Sequence, residues 1–389
     1  MLISLVVSYA IAFFLISSGW ATNRTPLPRD RPGMPIWTVD LRTVIGSEPL
    51  GLVVGQGRET QAKPRTSLWF LDKTTIAVTF VTRQAKSKLS SRDGSDVSSP
   101  LQVRLILLDG ASGNVRNNKS WPTESRFAGI VTMHDGKFVM QRGLELVLFS
   151  SDLTEVKTLK LPRLEEADWH AHPSPSGKNV LFIATSLRTS SAIPWIWVDV
   201  DSLTVLRSWK ETQSGWVAIS DQRMAMTTCV WVYSCKPEVM VRSIDGDWET
   251  VALATKNSKP RLQFVDDSTL YLLGSPARLI RTDGRVLFTE ENAPEGCWWG
   301  EPVPSSTGLR FVVPSCKVKG VISSLDMAGH DVLRKILVFD APFDRVTHVI
   351  DISGPTIKDL SSLALSPDGL SLAILNNELL EVLPLPRPQ

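Results

Sequence analysis

Residues that often carry catalysis or redox chemistry are scarce in this chain of 389 residues, which has three tyrosines, five histidines and four cysteines. The Gly-x-Ser-x-Gly turn of serine hydrolases and the glycine-rich loops that bind phosphate groups are also absent. No motif therefore assigns a nucleophile or a nucleotide site. We expect no catalytic residue, no metal and no cofactor, and the sequence favours a non-enzymatic role over an enzymatic one.

A strong net charge is missing as well, because 42 basic residues face 40 acidic ones for a formal charge of +2. This balance gives no reason to expect a nucleic acid partner. Long apolar runs are missing except at the start, where residues 1–21 predict a signal peptide or an N-terminal anchor. No basic residue precedes Arg24, so the anchor stays an alternative. The expected localisation is exported, either periplasmic or extracellular, and residues 22–35 predict a proline-rich linker.

The few cysteines suit an exported protein if they form disulfides. Cys297 and Cys316 lie at equal distances from the turn at Ser306 and Thr307, so a hairpin there would set them opposite each other. The sequence spacings of the four cysteines do not match a zinc site. The sequence predicts two disulfides of open connectivity among Cys229, Cys235, Cys297 and Cys316.

What the chain has in abundance is one repeated pattern of apolar alternation, a polar turn and a second alternation, clearest at Leu363–Leu375 (LALSPDGLSLAIL). Such alternation around a turn predicts a β-hairpin. Each copy except the last is followed by a second, outer hairpin, so a unit has four antiparallel strands. The seven inner hairpins begin near Leu68, Ile130, Ala171, Val217, Leu262, Glu301 and Leu363.

The last unit lacks its outermost strand, because after Leu379–Leu385 the chain ends in PRPQ. An unpaired strand-like run, residues 36–46, lies at the other end of the chain, and pairing the two would close a ring without open edges. The sequence thus predicts an all-β, seven-bladed β-propeller, a single domain over residues 36–389 with blades from about residue 66. Six or eight blades are the alternatives, and a monomer is expected.

Three turns carry a family likeness: Ser366–Gly369 (SPDG), Ser174–Gly177 (SPSG) and Asp109–Gly113 (DGASG). They resemble the repeats of bacterial exported β-propellers, the group of WD-repeat-like, Tol-type and quinoprotein-like proteins. The resemblance implies a fold rather than a chemistry, since these are turn signatures. The quinone-docking motif of the quinoprotein-like group is matched only in part, by Asp109, Ser112, Gly113 and Trp121. This partial match argues against a quinone cofactor.

Tryptophan is unusually frequent, with thirteen residues against three tyrosines. Several tryptophans directly precede inner strands, which in a propeller places them on the face where those strands begin, called here the upper face. Beside Glu301 they could stack on a sugar or another flat ligand, although packing between blades is the alternative. The candidates are Trp169, Trp216, Trp298 and Trp299.

His170 and His172 have a spacing that puts both imidazoles on one side of a strand. A metal needs further ligands, and no companion histidine has a fitting spacing, so we interpret the pair as a polar strand start that adds to the ligand-binding candidates. The leading hypothesis is an exported binding or scaffold module whose upper face engages a protein or a carbohydrate. The alternative is a hydrolase or lyase in the central funnel, which would use Asp168, His170, His172 and Glu301.

Overall fold

The described strands form seven β-sheets, the blades of the predicted β-propeller; six of the sheets have four antiparallel strands and one has six strands. The structure, a computed structural model, describes residues 29–30, 35–45, 67–83, 101–124, 128–164, 167–186, 192–212, 215–228, 238–253, 261–273, 276–290, 297–319, 330–351, 363–376 and 379–388. The N-terminal part of this range contains β1 (Arg29–Asp30), β2 (Trp37–Asp40) and the short helix α1 (Arg42–Ile45).

The first five blades each take four consecutive strands, inner to outer. Blade 1 has β3 (Ser67–Asp72), β4 (Thr75–Arg83), β5 (Leu101–Asp109) and β6 (Val115–Thr123). Blade 2 has β7 (Gly129–His134), β8 (Lys137–Arg142), β9 (Glu145–Phe149) and β10 (Glu155–Lys160). Blade 3 has β11 (Ala167–Pro173), β12 (Asn179–Ser186), β13 (Ile193–Asp199) and β14 (Thr204–Glu211). Blade 4 has β15 (Val217–Ile219), β16 (Arg223–Thr227), β17 (Glu238–Ser243) and β18 (Glu249–Leu253). Blade 5 has β19 (Arg261–Phe264), β20 (Thr269–Leu273), β21 (Ala277–Arg281) and β22 (Val286–Glu290).

The last two blades depart from this scheme, because each takes a strand from the N-terminal part of the chain. Blade 6 has a first strand in two pieces, and β1 joins its outer edge in parallel; its other strands are β23 (Cys297–Trp299), β24 (Val303–Pro304), β25 (Arg310–Lys319), β26 (His330–Asp340) and β27 (His348–Asp351). Blade 7 has β28 (Leu363–Leu365), β29 (Ser371–Asn376) and β30 (Leu379–Pro384), with β2 as its outermost strand.

The apolar core lies between blades rather than at the centre of the ring. Among the described residues, the buried apolar side chains fall into seven clusters, and each cluster joins two neighbouring blades. One cluster packs Leu68, Phe70 and Ile76 of blade 1 against Ala373 and Leu380 of blade 7. Inner strands of neighbouring blades also contact each other around the ring, including β28 against β3. The ring is therefore closed by apolar packing as well as by strand pairing.

The outer edges of blades 1 to 5 share a register shift between the third and fourth strands. A bulge there twists the edge and discourages pairing with a further strand. In blade 6 the pairing of β26 with β27 runs without such a shift. This regular edge is the one that β1, part of the stretch expected to be a linker, extends through pairing with Val349 and Ile350.

The closing strand pairs as predicted but is shorter than the run 36–46 suggested, since it ends at Asp40. There the carboxylate of Asp40 accepts a hydrogen bond from the backbone N–H of Arg42 at 3.0 Å and from its guanidinium Nη2 at 2.6 Å. The hydroxyl of Thr43 donates to the Asp40 carbonyl at 2.6 Å. Such local bonds compete with a strand ladder and favour a turn or a helix start. The chain accordingly enters α1 at Arg42.

Trp37 on the closing strand also fastens blade 7 to blade 1, so its loss should weaken ring closure. Its indole Nε1 donates to the carbonyl of Gly110 at 2.8 Å, and its ring packs against the core between the two blades. We expect Trp37→Ala to lower the free energy of unfolding by about 2 kcal/mol, less than for a fully buried tryptophan. Urea denaturation measures this. The exposed Val115→Ala in blade 1 is the control, and an equal loss in both variants would contradict a specific role of Trp37.

Candidate functional site

One exposed position recurs in four consecutive blades on the upper face. His170, Trp216, Arg261 and Glu301 each lie four residues before the residue that opens the inner turn, namely Ser174, Ser220, Val265 and Ser305. All four are exposed. Arg261 begins β19 and Trp216 directly precedes β15, whereas His170 lies within β11 and Glu301 lies between β23 and β24. We call these four residues the rim row. The repeat thus presents one side chain per blade along an arc of the upper face.

Trp216 is held in its exposed position by tight backbone packing beneath it. Its carbonyl accepts a hydrogen bond from the backbone N–H of Thr227 at 3.0 Å, and its own backbone N–H donates to the Thr227 hydroxyl at 3.3 Å. Gly215 precedes it so close to the neighbouring strand that an added Cβ would lie 1.7 Å from the Thr227 carbonyl oxygen. The backbone is fixed here, while 37% of Trp216 stays exposed.

Arg261 joins Trp216 of blade 4 to Glu301 of blade 6. Its guanidinium lies over the Trp216 ring at 4.6 Å from the ring centre. Its Nη1 donates to Glu301 Oε1 at 3.0 Å, with the side chains of Arg261 and Glu301 52% and 54% exposed. A cation over an indole and an exposed ion pair are each weak, about 0.5–1 kcal/mol. Together they hold the three side chains in one arrangement on the surface.

The histidine pair lies on β11, where alternate side chains face opposite ways. Trp169 is buried against blade 2, and its indole donates to the Pro162 carbonyl at 2.9 Å. Its burial matches the alternative of packing between blades. On the opposite side of β11, Asp168 and His170 are exposed and His172 is half-buried. Among the described residues, no group of three or more histidine, cysteine, aspartate or glutamate side chains is arranged to hold a metal.

The other tryptophan candidates, Trp298 and Trp299, lie on β23, where their backbones pair with Cys316 and Ser315. Cys297 pairs with Lys317, so Cys316 lies one residue away from the position opposite Cys297 that the turn-centred hairpin would give it. Cys229 and Cys235 lie outside the described residues. The two disulfides therefore stay predictions.

On the opposite, lower face, the inner turns use their polar groups to bind one another. The Ser176 hydroxyl of blade 3 donates to Asp221 of blade 4 at 2.7 Å, and the Asp221 N–H donates to Asp267 of blade 5 at 2.9 Å. Lys73 of blade 1 lies 3.6 Å from Asp368 of blade 7. These contacts between turns hold neighbouring blades together, so much of the polar chemistry of this face serves the scaffold.

A cavity of about 350 Å³ opens on the lower face at the centre of the ring. Its wall combines Leu71 and Met133 with turn residues such as His134, Asp135 and Ser306. The Nδ1–H of His134 donates to the Ser176 carbonyl at 3.1 Å, another contact between blades. None of the four rim-row residues lines this cavity.

Sequence reasoning found three members of the rim row but missed Arg261. Its partner Glu301 is 40 residues away in the sequence, so no local pattern shows their contact. The signal that was available is positional, because aligning the inner turns puts Arg261 in the same place as Trp216 and Glu301. Within the described part of the chain, no helix is long and apolar enough to cross a membrane.

Solved β-propellers share this architecture at very low sequence identity. The WD40 domain of Neurospora crassa Pan2 gives a TM-score of 0.53 at 8% identity, covering 93% of this chain and 98% of that one. The propeller domain of the Trilobed protease from Pyrococcus furiosus gives 0.51 at 9%, covering 80% and 89%. The acylaminoacyl peptidase of Pyrococcus horikoshii gives 0.50 at 9%, covering 80% of this chain but 49% of the peptidase.

No protein-family model matches the chain, and no curated protein matches it. Likeness at this level of identity shows the fold alone, and the neighbours include both a WD40 domain and peptidases. A shared fold does not assign a function, which has to be argued from the surface chemistry of this chain. What the comparisons and the structure together show is that this protein is a β-propeller.

Proposed function

We propose that the protein is an exported, non-enzymatic binding or scaffold module whose upper face engages a protein partner through the rim row. The observation that carries the proposal is the contact of Trp216, Arg261 and Glu301 across three blades. Tryptophan and arginine are enriched among the residues that dominate binding energy at protein interfaces. A rigid ring that presents both residues in fixed positions suits that role.

A protein partner fits this surface better than a small carbohydrate does. Small ligands are usually enclosed in a cleft lined by apolar and aromatic groups. The rim row is an exposed arc over four blades, whereas the described cavity lies on the lower face and has no aromatic residue in its wall apart from the imidazole of His134. Open surfaces of this kind are typical of protein interfaces, where the contact area spreads over many residues.

Variant proteins used as bait in quantitative crosslinking and affinity capture test this proposal. We expect Trp216→Ala to raise the Kd for the captured partner about thirtyfold. This corresponds to a loss of about 2 kcal/mol of binding free energy, as for a central aromatic residue of an interface. Leu309→Ala, which changes a 65% exposed apolar residue at the inner turn of blade 6, is the matched control. Equal thermal stability of the two variants shows that folding is unaffected.

Two results would count against the proposal. A partner retained equally by wild type, Trp216→Ala and Leu309→Ala would bind elsewhere on the molecule. Binding of soluble glycans that is lost in Trp216→Ala, without any protein partner, would assign the rim row to a carbohydrate instead.

A further inference from the structure

Arg261 contacts Trp216 and Glu301, but these two contacts do not use all of its N–H donors. The Trp216 ring covers the guanidinium, and Glu301 accepts from Nη1. No other side chain or carbonyl in the described part of the chain accepts a hydrogen bond from Arg261. Within the described residues its Nε and its second terminal nitrogen, Nη2, therefore have no acceptor, and 52% of the side chain is exposed to solvent.

The remaining donors have a definite chemical preference. Guanidinium Nε and Nη2 form a planar fork that matches the two oxygens of one carboxylate. Stacking on Trp216 and pairing with Glu301 limit the rotamers of Arg261 before any partner arrives, so less side-chain entropy is lost on binding. The geometry thus resembles a preorganised receptor for a planar, two-oxygen acceptor.

Charge decides between the anions that could use this fork. Glu301 already balances the single positive charge of Arg261, so the pair has no excess charge to offset a dianionic phosphate. A singly charged carboxylate needs less compensation, and it gains most of its stabilisation from the two directed hydrogen bonds. The flat Trp216 beside it offers apolar contact to the carbon chain that bears the carboxylate.

We propose that Arg261 binds a carboxylate of a partner polypeptide, from an aspartate, a glutamate or a chain terminus, in a two-pronged contact beside Trp216. This inference rests on the proposed function and adds the chemistry of the partner to it. Glu301 then acts as a positioning residue, because it holds Nη1 and leaves the other edge of the guanidinium to the ligand.

The chain supplies a matched control at the outer edge of blades 3 and 4. Arg207 lies over Trp209 at 5.3 Å and pairs with Asp245 at 3.0 Å, so it repeats the stacked and ion-paired arrangement. Its Nη1 donates to the Ile244 carbonyl as well. Arg207 is on an outer strand and away from the rim row. Arg207→Ala therefore tests whether any stacked arginine on this protein attracts acidic peptides.

The experiment measures fluorescence anisotropy of a labelled, capped peptide of alternating glycine and glutamate, titrated with the full chain at low ionic strength. We expect binding that weakens about tenfold when glutamine replaces glutamate. Arg261→Ala and Arg261→Lys should both weaken binding about tenfold, because lysine keeps the charge but lacks the fork. Arg207→Ala should leave the affinity unchanged.

Each contrary result overturns a defined part of the inference. If Arg261→Lys binds within twofold of wild type, simple charge attraction replaces the two-pronged contact. If the glutamine peptide binds equally well, or no peptide binds, the carboxylate assignment is wrong. Binding of glucuronate without binding of the peptide would mean that the carboxylate bound by Arg261 comes from an acidic sugar rather than from a polypeptide. A protein partner lost in Trp216→Ala but kept by Arg261→Lys would remove this inference and leave the proposed function standing.

Discussion

Replacing Arg310 with methionine is expected to lower the free energy of unfolding by about 3–5 kcal/mol, because it leaves a buried carboxylate without its partner. The side chains of Arg310 and Asp340 are 1% and 5% exposed, and Nε of the arginine donates to Oδ1 of the aspartate at 2.5 Å. Arg310 Nη1 also donates to the carbonyls of Gly369 at 2.9 Å and Pro386 at 2.6 Å. One side chain thus ties blade 6 to the inner turn of blade 7 and to the end of the chain.

The control is an exposed ion pair in the same blade. Lys335 lies 4.0 Å from Asp351, with side chains 37% and 44% exposed, and such pairs contribute about 0–1 kcal/mol. Lys335→Met should therefore cost far less than Arg310→Met in urea denaturation. The double variant Arg310→Met/Asp340→Leu should recover part of the loss, since it removes the unpaired charge. If Arg310→Met and Lys335→Met lower the free energy of unfolding by equally small amounts, Arg310 does not stabilise the contact between the blades.

The same ion pair makes stability sensitive to acid. Burial alone would raise the pKa of Asp340, but the hydrogen bond and the positive charge of Arg310 outweigh burial and lower the pKa below its usual 3.8. A carboxylate with a lowered folded-state pKa stabilises the fold above its unfolded pKa, and this contribution is lost as pH falls through the folded value. Stability should therefore decline in acid below about pH 4, and Asp340→Asn, less stable at neutral pH, should show a weaker decline.

The fold was predictable because its information is local. Each inner hairpin carries alternating apolar residues and a turn within about a dozen residues, as in Leu363–Leu375, and such periodicity reports strands directly. Ring closure was predictable by counting, since the seventh unit lacked a strand and an orphan run preceded the first. The end of the closing strand was not, because the bonds of Asp40 to Arg42 and Thr43 compete with pairing in a way that apolar periodicity does not show.

The candidate site was only partly predictable, because its contacts are long-range. His170, Trp216 and Glu301 stood out by residue type at strand starts, but Arg261 gained its meaning only from neighbours in two other blades. The cysteine hairpin failed for a related reason. Counting assumed a hairpin centred between Ser306 and Thr307, whereas the pairing of Val303 with Val312 centres it one residue later. The break between Trp299 and Val303 then shifts the register back by one residue, which leaves Cys297 opposite Lys317.

Gly177→Ala is expected to destabilise the protein by about 3 kcal/mol or more, through backbone strain and a collision between blades. Gly177 has φ of 76°, where a non-glycine residue costs about 1–2 kcal/mol. An added Cβ would lie 1.6 Å from the carbonyl oxygen of Met133 in blade 2, so the turn has to move away. Overpacking of this kind typically adds about 1–3 kcal/mol. The Gly177 carbonyl also accepts from the Thr132 hydroxyl at 2.9 Å, and that bond would be lost.

The variant Gly136→Ala separates backbone strain from the collision between blades, because Gly136 has a similar backbone conformation but no close neighbour. Its φ is 72°, nearly that of Gly177, yet an added Cβ would meet nothing within 4 Å. Gly136→Ala should therefore cost only the strain of about 1–2 kcal/mol. The difference between the two variants in urea denaturation measures the close approach of blade 3 to blade 2. Equal losses would mean that the turn relaxes freely, and that the contacts between turns on the lower face do not fix the spacing of the blades.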